Sequence, residues 1–236
     1  MRGNVTPSTT AVGPTVSSGR WRSLGTAGGA AAASAGAVLA AHFLTQAEAT
    51  VLHDRMLPWI LGRGLGVASY LALTALAALG LWFRHPWRRG TRATVRASSL
   101  LRAHAALAAT TVVLVAGHVT ALALDSYAHV GWNGVFVPGL SHYRPLAVGL
   151  GTVGLYLGVL VGASAALAGR LVGRHWRTVH RLALVTFVLM WLHGVEAGSD
   201  VTTLRWLYVA TGVLMTVLAV SRATARRSER PLRNAS

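Results

Sequence analysis

Four histidines lie inside apolar stretches of this chain, in two pairs of similar build: His104 with His118, and His180 with His193. The members of each pair stand nearly four helical turns apart, and the second pair is one residue closer than the first. An imidazole at membrane depth is costly, so a histidine retained there points to a functional role. Four of them, at two matching depths on two separate stretches, point to two stacked metal sites. Two imidazoles fill both axial positions of a haem iron, and an iron held that way passes single electrons rather than binding oxygen or substrate. The expected pairs are His104 with His180 at one depth and His118 with His193 at the other. Zinc or copper is less apt, because ligands on two stretches at two depths do not converge on one ion.

These pairs need apolar helices to carry them, and the composition supplies them. Of 236 residues 53% are hydrophobic and only 12% are charged. The apolar residues gather in blocks of about 20, the length that crosses a hydrocarbon layer at about 1.5 Å per residue. After a polar stretch over residues 1–24, expected to be a disordered cytoplasmic N-terminus, the first block runs from Gly25 to Leu44. Ala47-Glu48-Ala49 behind it resembles a small-residue cleavage site, but the block is long for a signal core, which favours a retained helix. Five stronger blocks follow: Leu57–Phe83, Leu101–Leu124, Leu146–Leu167, Val179–Val195 and Leu204–Val220. The expected fold class is all-α, an integral membrane bundle of six transmembrane helices, or five if the first block is a cleaved signal peptide. Residues 25–220 form the transmembrane haem-binding domain in this reading, and residues 221–236 a basic cytoplasmic tail.

The net charge of +16 does not indicate nucleic acid. All 22 basic residues are arginines, and they sit in short segments between apolar blocks rather than on one polar domain. Clusters fall between the second and third blocks (Arg84, Arg88, Arg89, Arg92, Arg96, Arg102), between the fourth and fifth (Arg170, Arg174, Arg177, Arg181), and after the sixth. The other side holds Glu48, Asp54, Asp125, Glu196 and Asp200. The positive-inside rule then places both termini in the cytoplasm of a multi-pass membrane protein. Trp21, Trp59, Trp82, Trp87, Trp132, Trp176 and Trp206 all fall near the resulting interfaces, where an amphipathic ring is stable. The absence of cysteine excludes disulfides, iron–sulfur clusters and thiolate chemistry.

In this topology the third and fifth blocks run parallel, and their two histidine levels lie about 20 Å apart. At about 100° per residue, the step from His104 to His118 returns to within about 40° of the starting face, whereas the step from His180 to His193 misses it by about 140°. The fifth block must therefore be distorted if His180 and His193 are to act together. Gly117 and Gly194, beside His118 and His193, offer room for a porphyrin, while Gly154, Gly158 and Gly162 offer a face for close helix approach. Trp191 is either packing or lies against a haem. Arg102, Arg174, Arg177 and Arg181 mark topology and lipid phosphate contact. Arg102, Arg177 and Arg181 are also candidates to pair with the propionates of an inner haem, with Arg63 and Arg144 as weaker outer counterparts. His42, His53, His85, His129, His142 and His175 read as loop or helix-end residues.

From Gly62 to Val213 the chain resembles the ferric reductase-like transmembrane domain family. The resemblance is carried by Arg63-Gly64-Leu65-Gly66 with Tyr70, by His104 through His118, and by Leu124-Asp125-Ser126-Tyr127 and Gly131-Trp132. It continues through Tyr143-Arg144-Pro145, Trp176-Arg177 with Val179-His180, His193-Gly194 and Gly198-Ser199-Asp200. That family includes the membrane halves of ferric reductases and NADPH oxidases, and the haem subunit of bacterial periplasmic methionine sulfoxide reductase. The resemblance implies two b-type haems on the four histidines and an inward-to-outward flow of electrons. Large members continue into flavin and NADPH domains. This chain runs only from Ser221 to Ser236 past its sixth block and carries no phosphate-binding glycine motif in a strand–helix setting. The expected donor is thus a separate flavoprotein or a membrane quinol, and the expected acceptor an extracytoplasmic protein or a ferric chelate. Two rival functions are a small transporter relaying protons through buried histidines and a cofactor-free assembly subunit. The first calls for intramembrane carboxylates, and none of the six acidic residues falls mid-block; the second leaves the matched histidine depths unexplained.

Overall fold

The computed structural model describes residues 56–83, 85, 97–167 and 176–228, and these are helical apart from short turns. Among the described residues seven helices follow in order: α1 (Leu57–Phe83), α2 (Ala97–Leu124), α3 (Gly131–Phe136), α4 (Pro145–Ala166), α5 (Trp176–His180), α6 (Ala183–Ala197) and α7 (Val201–Ser228). Taking α5 and α6 as one interrupted span, five helical spans are long and apolar enough to cross a membrane. Their outward faces expose Val112, Val113, Leu146, Val159 and Val213. An apolar exterior of this extent is consistent with a multi-pass membrane protein.

The helices follow the apolar blocks closely because composition alone makes these stretches helical wherever backbone groups must be satisfied within the segment. The first block, Gly25–Leu44, and the tail beyond residue 228 lie outside the described residues. The sixth block is longer than its apolar run: α7 continues past Val220 to Ser228, so much of the basic tail extends the helix. A short helix, α3, occupies what reads in sequence as an outer loop. Pro145 opens α4 at its first turn, where a missing N–H costs nothing.

The core forms where α1, α6 and α7 meet. Tyr70, Leu81, Phe187, Tyr208 and Met215 are buried together there. The Tyr70 hydroxyl is hydrogen-bonded to Thr211 on α7, and its ring stacks on Phe187 of α6 at 6.3 Å. Trp191 Nε1 donates to the Tyr208 carbonyl at 2.9 Å and its ring lies against Gly212. Trp191 is thus a packing residue between α6 and α7. A second cluster, around Val130, Val135 and Val148, joins α3 to the start of α4. Trp59, in the first turn of α1, is buried between the rings of Tyr127 and Tyr143, 5.6 and 5.5 Å away.

Small residues set the helix spacing. A Cβ at Gly154 would meet the Met190 side chain at 2.9 Å, and one at Gly158 would meet Thr186 at 3.6 Å. These two glycines let α6 approach α4, as their four-residue spacing suggests. Gly162 faces open space. Gly117 and Gly194 lie against Leu65 and Tyr208, so they too serve helix packing.

The two aspartates that echo one another in sequence play different parts. Asp125 ends α2 and accepts the Ala128 N–H at 2.6 Å. Asp200, just before α7, forms a two-pronged ion pair with Arg63 of α1. Arg63 is therefore engaged by protein. The pair is more than a third exposed, so a double-mutant cycle of Arg63→Ala and Asp200→Ala in detergent is expected to give a coupling below about 1 kcal/mol. A much larger coupling would mean that the ion pair, and not the aromatic core, holds α1 to α7.

Candidate metal centre

The four histidines come together in the pairs their depths require. The rings of His104 and His180 are 6.3 Å apart, centroid to centroid, and those of His118 and His193 are 6.4 Å apart. Because the pairing preserves chain order, α2 and α5–α6 are co-directional. An imidazole–metal bond is about 2 Å long, and a ring centroid lies about 1 Å behind its coordinating nitrogen, so two rings flanking one ion stand about 6 Å apart. Both pairs have that separation.

The shorter spacing of His180 and His193 is reconciled by a break in the helix. α5 ends at His180, a turn occupies Arg181 and Leu182, and α6 begins at Ala183. The turn is wound more tightly than an α-helix: Arg181, Leu182 and Leu184 each bond a carbonyl three residues back. A segment of three residues per turn adds about 20° per residue over the α-helical advance, which reduces the angular deficit and turns His180 towards the face used by His193. α2 carries no such break between His104 and His118.

The His118–His193 pair, at the end that carries Asp125, Glu196 and Asp200, is oriented by backbone. The His118 ring donates from Nδ1 to the Gly62 carbonyl at 2.6 Å, and His193 donates from Nδ1 to the Ala147 carbonyl at 2.8 Å. With Nδ1 carrying the proton, Nε2 keeps its lone pair for a metal, the arrangement by which outer-shell partners fix a ligating histidine. At the other level, Nδ1 of both His104 and His180 is buried without a partner. An edge contact from Phe83 flanks His104, and one from Trp176 flanks His180. Among the described residues no three His, Asp or Glu side chains gather into one metal-binding group, so each level offers a two-imidazole donor set. That set suits an ion whose remaining ligands come from a macrocycle, and the residues present fit haem.

Three glycines that spacing alone does not single out as histidine partners prove to lie against the rings. A Cβ at Gly66 would fall 2.9 Å from the His118 ring, one at Gly151 2.7 Å from His193 Nδ1, and one at Gly80 3.3 Å from His104 Cε1. One signal was available in the sequence: Gly66 and Gly80, on the antiparallel neighbour of α2, are separated by the same interval as His104 and His118.

Arg102, Arg177 and Arg181 all sit at the His104–His180 end and are exposed. The Arg102 guanidinium bonds Ser99 Oγ at 3.1 Å on its own helix, Arg177 lies over the Trp176 ring, and Arg181 occupies the α5–α6 turn. Arg144, at the opposite end, donates to the Glu196 carbonyl at 2.6 Å. His85, just past the end of α1, is buried, stacked on Trp82 and hydrogen-bonded to Ser221 Oγ at 3.0 Å. Arg174, His42, His53 and His175 lie outside the described residues.

Compared with known proteins, the chain matches no family model, no curated protein and no solved structure.

Proposed function

We propose that this chain is a transmembrane b-type cytochrome of the ferric reductase-like kind, an oxidoreductase subunit carrying two haems. In this reading it spans a bacterial plasma membrane with both termini in the cytoplasm. It takes electrons from a cytoplasmic flavoprotein or a quinol and delivers them to an extracytoplasmic protein or ferric chelate. The observation that carries the reading is the double pairing, His104 with His180 and His118 with His193, at ring separations of 6.3 and 6.4 Å on co-directional helices.

The two histidine pairs would each hold a haem, which would supply one-electron transfer when bound. The chain's own residues do the rest. The histidines would supply the ligating nitrogens, and the carbonyls of Gly62 and Ala147 fix the rings of His118 and His193. Arg102, Arg177 and Arg181 offer cations to propionates or lipid phosphates at the inner end. The proton-relay alternative draws no support from the acidic groups. Among the described residues these are Asp125, Glu196 and Asp200, all at or near helix ends.

Full-length protein purified in detergent after expression with haem precursors is expected to show a Soret band and an α-band that sharpens on dithionite reduction. A pyridine haemochrome assay should count two b-type haems per chain. A helical, monodisperse preparation that is colourless and takes up no added haemin would overturn the proposal.

A further inference from the structure

The two outer histidines are held by the same local device on two different helices. His118 reaches the carbonyl of Gly62, and the residue four positions on is Gly66; His193 reaches the carbonyl of Ala147, and the residue four positions on is Gly151. In an α-helix the carbonyl of residue i accepts from the N–H of residue i+4, and the Cβ of residue i+4 stands beside it. Without that Cβ the second lone pair of the carbonyl is open to a neighbouring ring. A Cβ at Gly66 would sit 2.9 Å from His118 Nδ1, and one at Gly151 2.7 Å from His193 Nδ1, too close for either ring to stay where it is. The inner pair lacks the device. His104 packs beside Gly80 and yet leaves Nδ1 buried and unpartnered, as does His180.

We infer that Gly66 and Gly151 are positioning residues: by baring the carbonyls of Gly62 and Ala147 they lock His118 and His193 as Nδ1–H tautomers, which makes the outer pair the tighter of two unequal haem sites. The locked tautomer presents an unprotonated Nε2 before any metal arrives, and the carbonyl raises its basicity. An inner imidazole must choose its tautomer on binding and then carries an unsatisfied buried N–H. The affinity half of the inference rests on the haem reading above; the tautomer half does not.

The test has two readouts on the full chain in detergent micelles. In haem-free protein labelled with ¹⁵N-histidine, NMR should find His118 and His193 protonated at Nδ1, assigned through the His118→Ala and His193→Ala variants. Gly66→Ala should release His118 from that tautomer and Gly151→Ala should release His193. Gly158→Ala, which adds a methyl to α4 at an ordinary 3.6 Å contact with Thr186, should release neither. Wild-type protein with both outer histidines protonated at Nε2, or glycine variants that leave the tautomers unchanged, would overturn the inference. In a haemin titration the tighter step should vanish in His118→Ala and weaken about 10–100-fold in Gly66→Ala and Gly151→Ala, the usual effect of losing an outer-shell partner. If either glycine variant does not fold, the wild-type order of filling decides: a tighter step that disappears with His104→Ala instead of His118→Ala overturns the inference. Failure of the wild type to bind haemin at all would sink the cytochrome proposal, while the NMR tautomers would still decide the role of the glycines.

Discussion

His118→Ala is expected to remove one of two haems, halving the pyridine haemochrome per chain, and adding His193→Ala is expected to remove no more. The reason is that the two imidazoles of a level act as a unit. Their rings stand 6.4 Å apart, and a haem deprived of one of its two imidazoles would keep little hold in a site built for two. Effects within such a unit are strongly non-additive. Combining His118→Ala with His180→Ala should instead abolish all haem, because each substitution breaks a different level. The comparison tests the pairing itself and not just the presence of haem. Half the haem surviving in the His118→Ala, His180→Ala protein would show that the ligands pair in some other way. Complete loss in the His118→Ala, His193→Ala protein would show that the inner level cannot assemble without the outer.

Tyr70→Ala is expected to be the most damaging substitution away from the histidines. Tyr70 is 7% exposed, at the junction of α1, α6 and α7. Its ring meets Phe187 at 6.3 Å and Tyr208 at 5.2 Å, and its hydroxyl bonds Thr211. Truncating a buried aromatic costs about 3–5 kcal/mol in water-soluble cores. Between helices in lipid, where apolar transfer contributes little, a loss of about 3 kcal/mol from packing is the expected figure. Tyr70→Phe keeps the ring and gives up only the bond to Thr211, worth about 0.6 kcal/mol for an interhelical hydrogen bond. Reversible unfolding in mixed micelles measures both. Equal losses for the two variants would shift the weight from the ring to the hydroxyl.

Much of the scaffold was legible because it follows from solvent exclusion alone. The block Leu57–Phe83 is α1 to the residue, and the third and fourth blocks agree with α2 and α4 to within about one helical turn at every end. A stretch of about 20 apolar residues has few alternatives to a helix, and that inference needs no neighbour. α7 ran past its block because hydropathy marks where a helix is apolar, not where its hydrogen bonds stop: Ser221 and Arg222 are polar but still helical. Glycine roles were legible only in part. The four-residue spacing of Gly154 and Gly158 fits a helix face, but nothing in one stretch of sequence says whether that face meets a side chain, a ring or a carbonyl.

What the sequence determined by itself is spacing along each span: a rise of about 1.5 Å per residue separates His104 from His118, and His180 from His193, by nearly the same height. What only the tertiary structure decided is direction. The tight turn after His180 rotates one ring towards α2, and Gly62, Gly66, Ala147 and Gly151 on two other helices aim the outer pair. Height along a helix is set by counting residues in one segment, but the azimuth of a side chain and the partner of its Nδ1 depend on what a second segment, distant in the chain, brings against it.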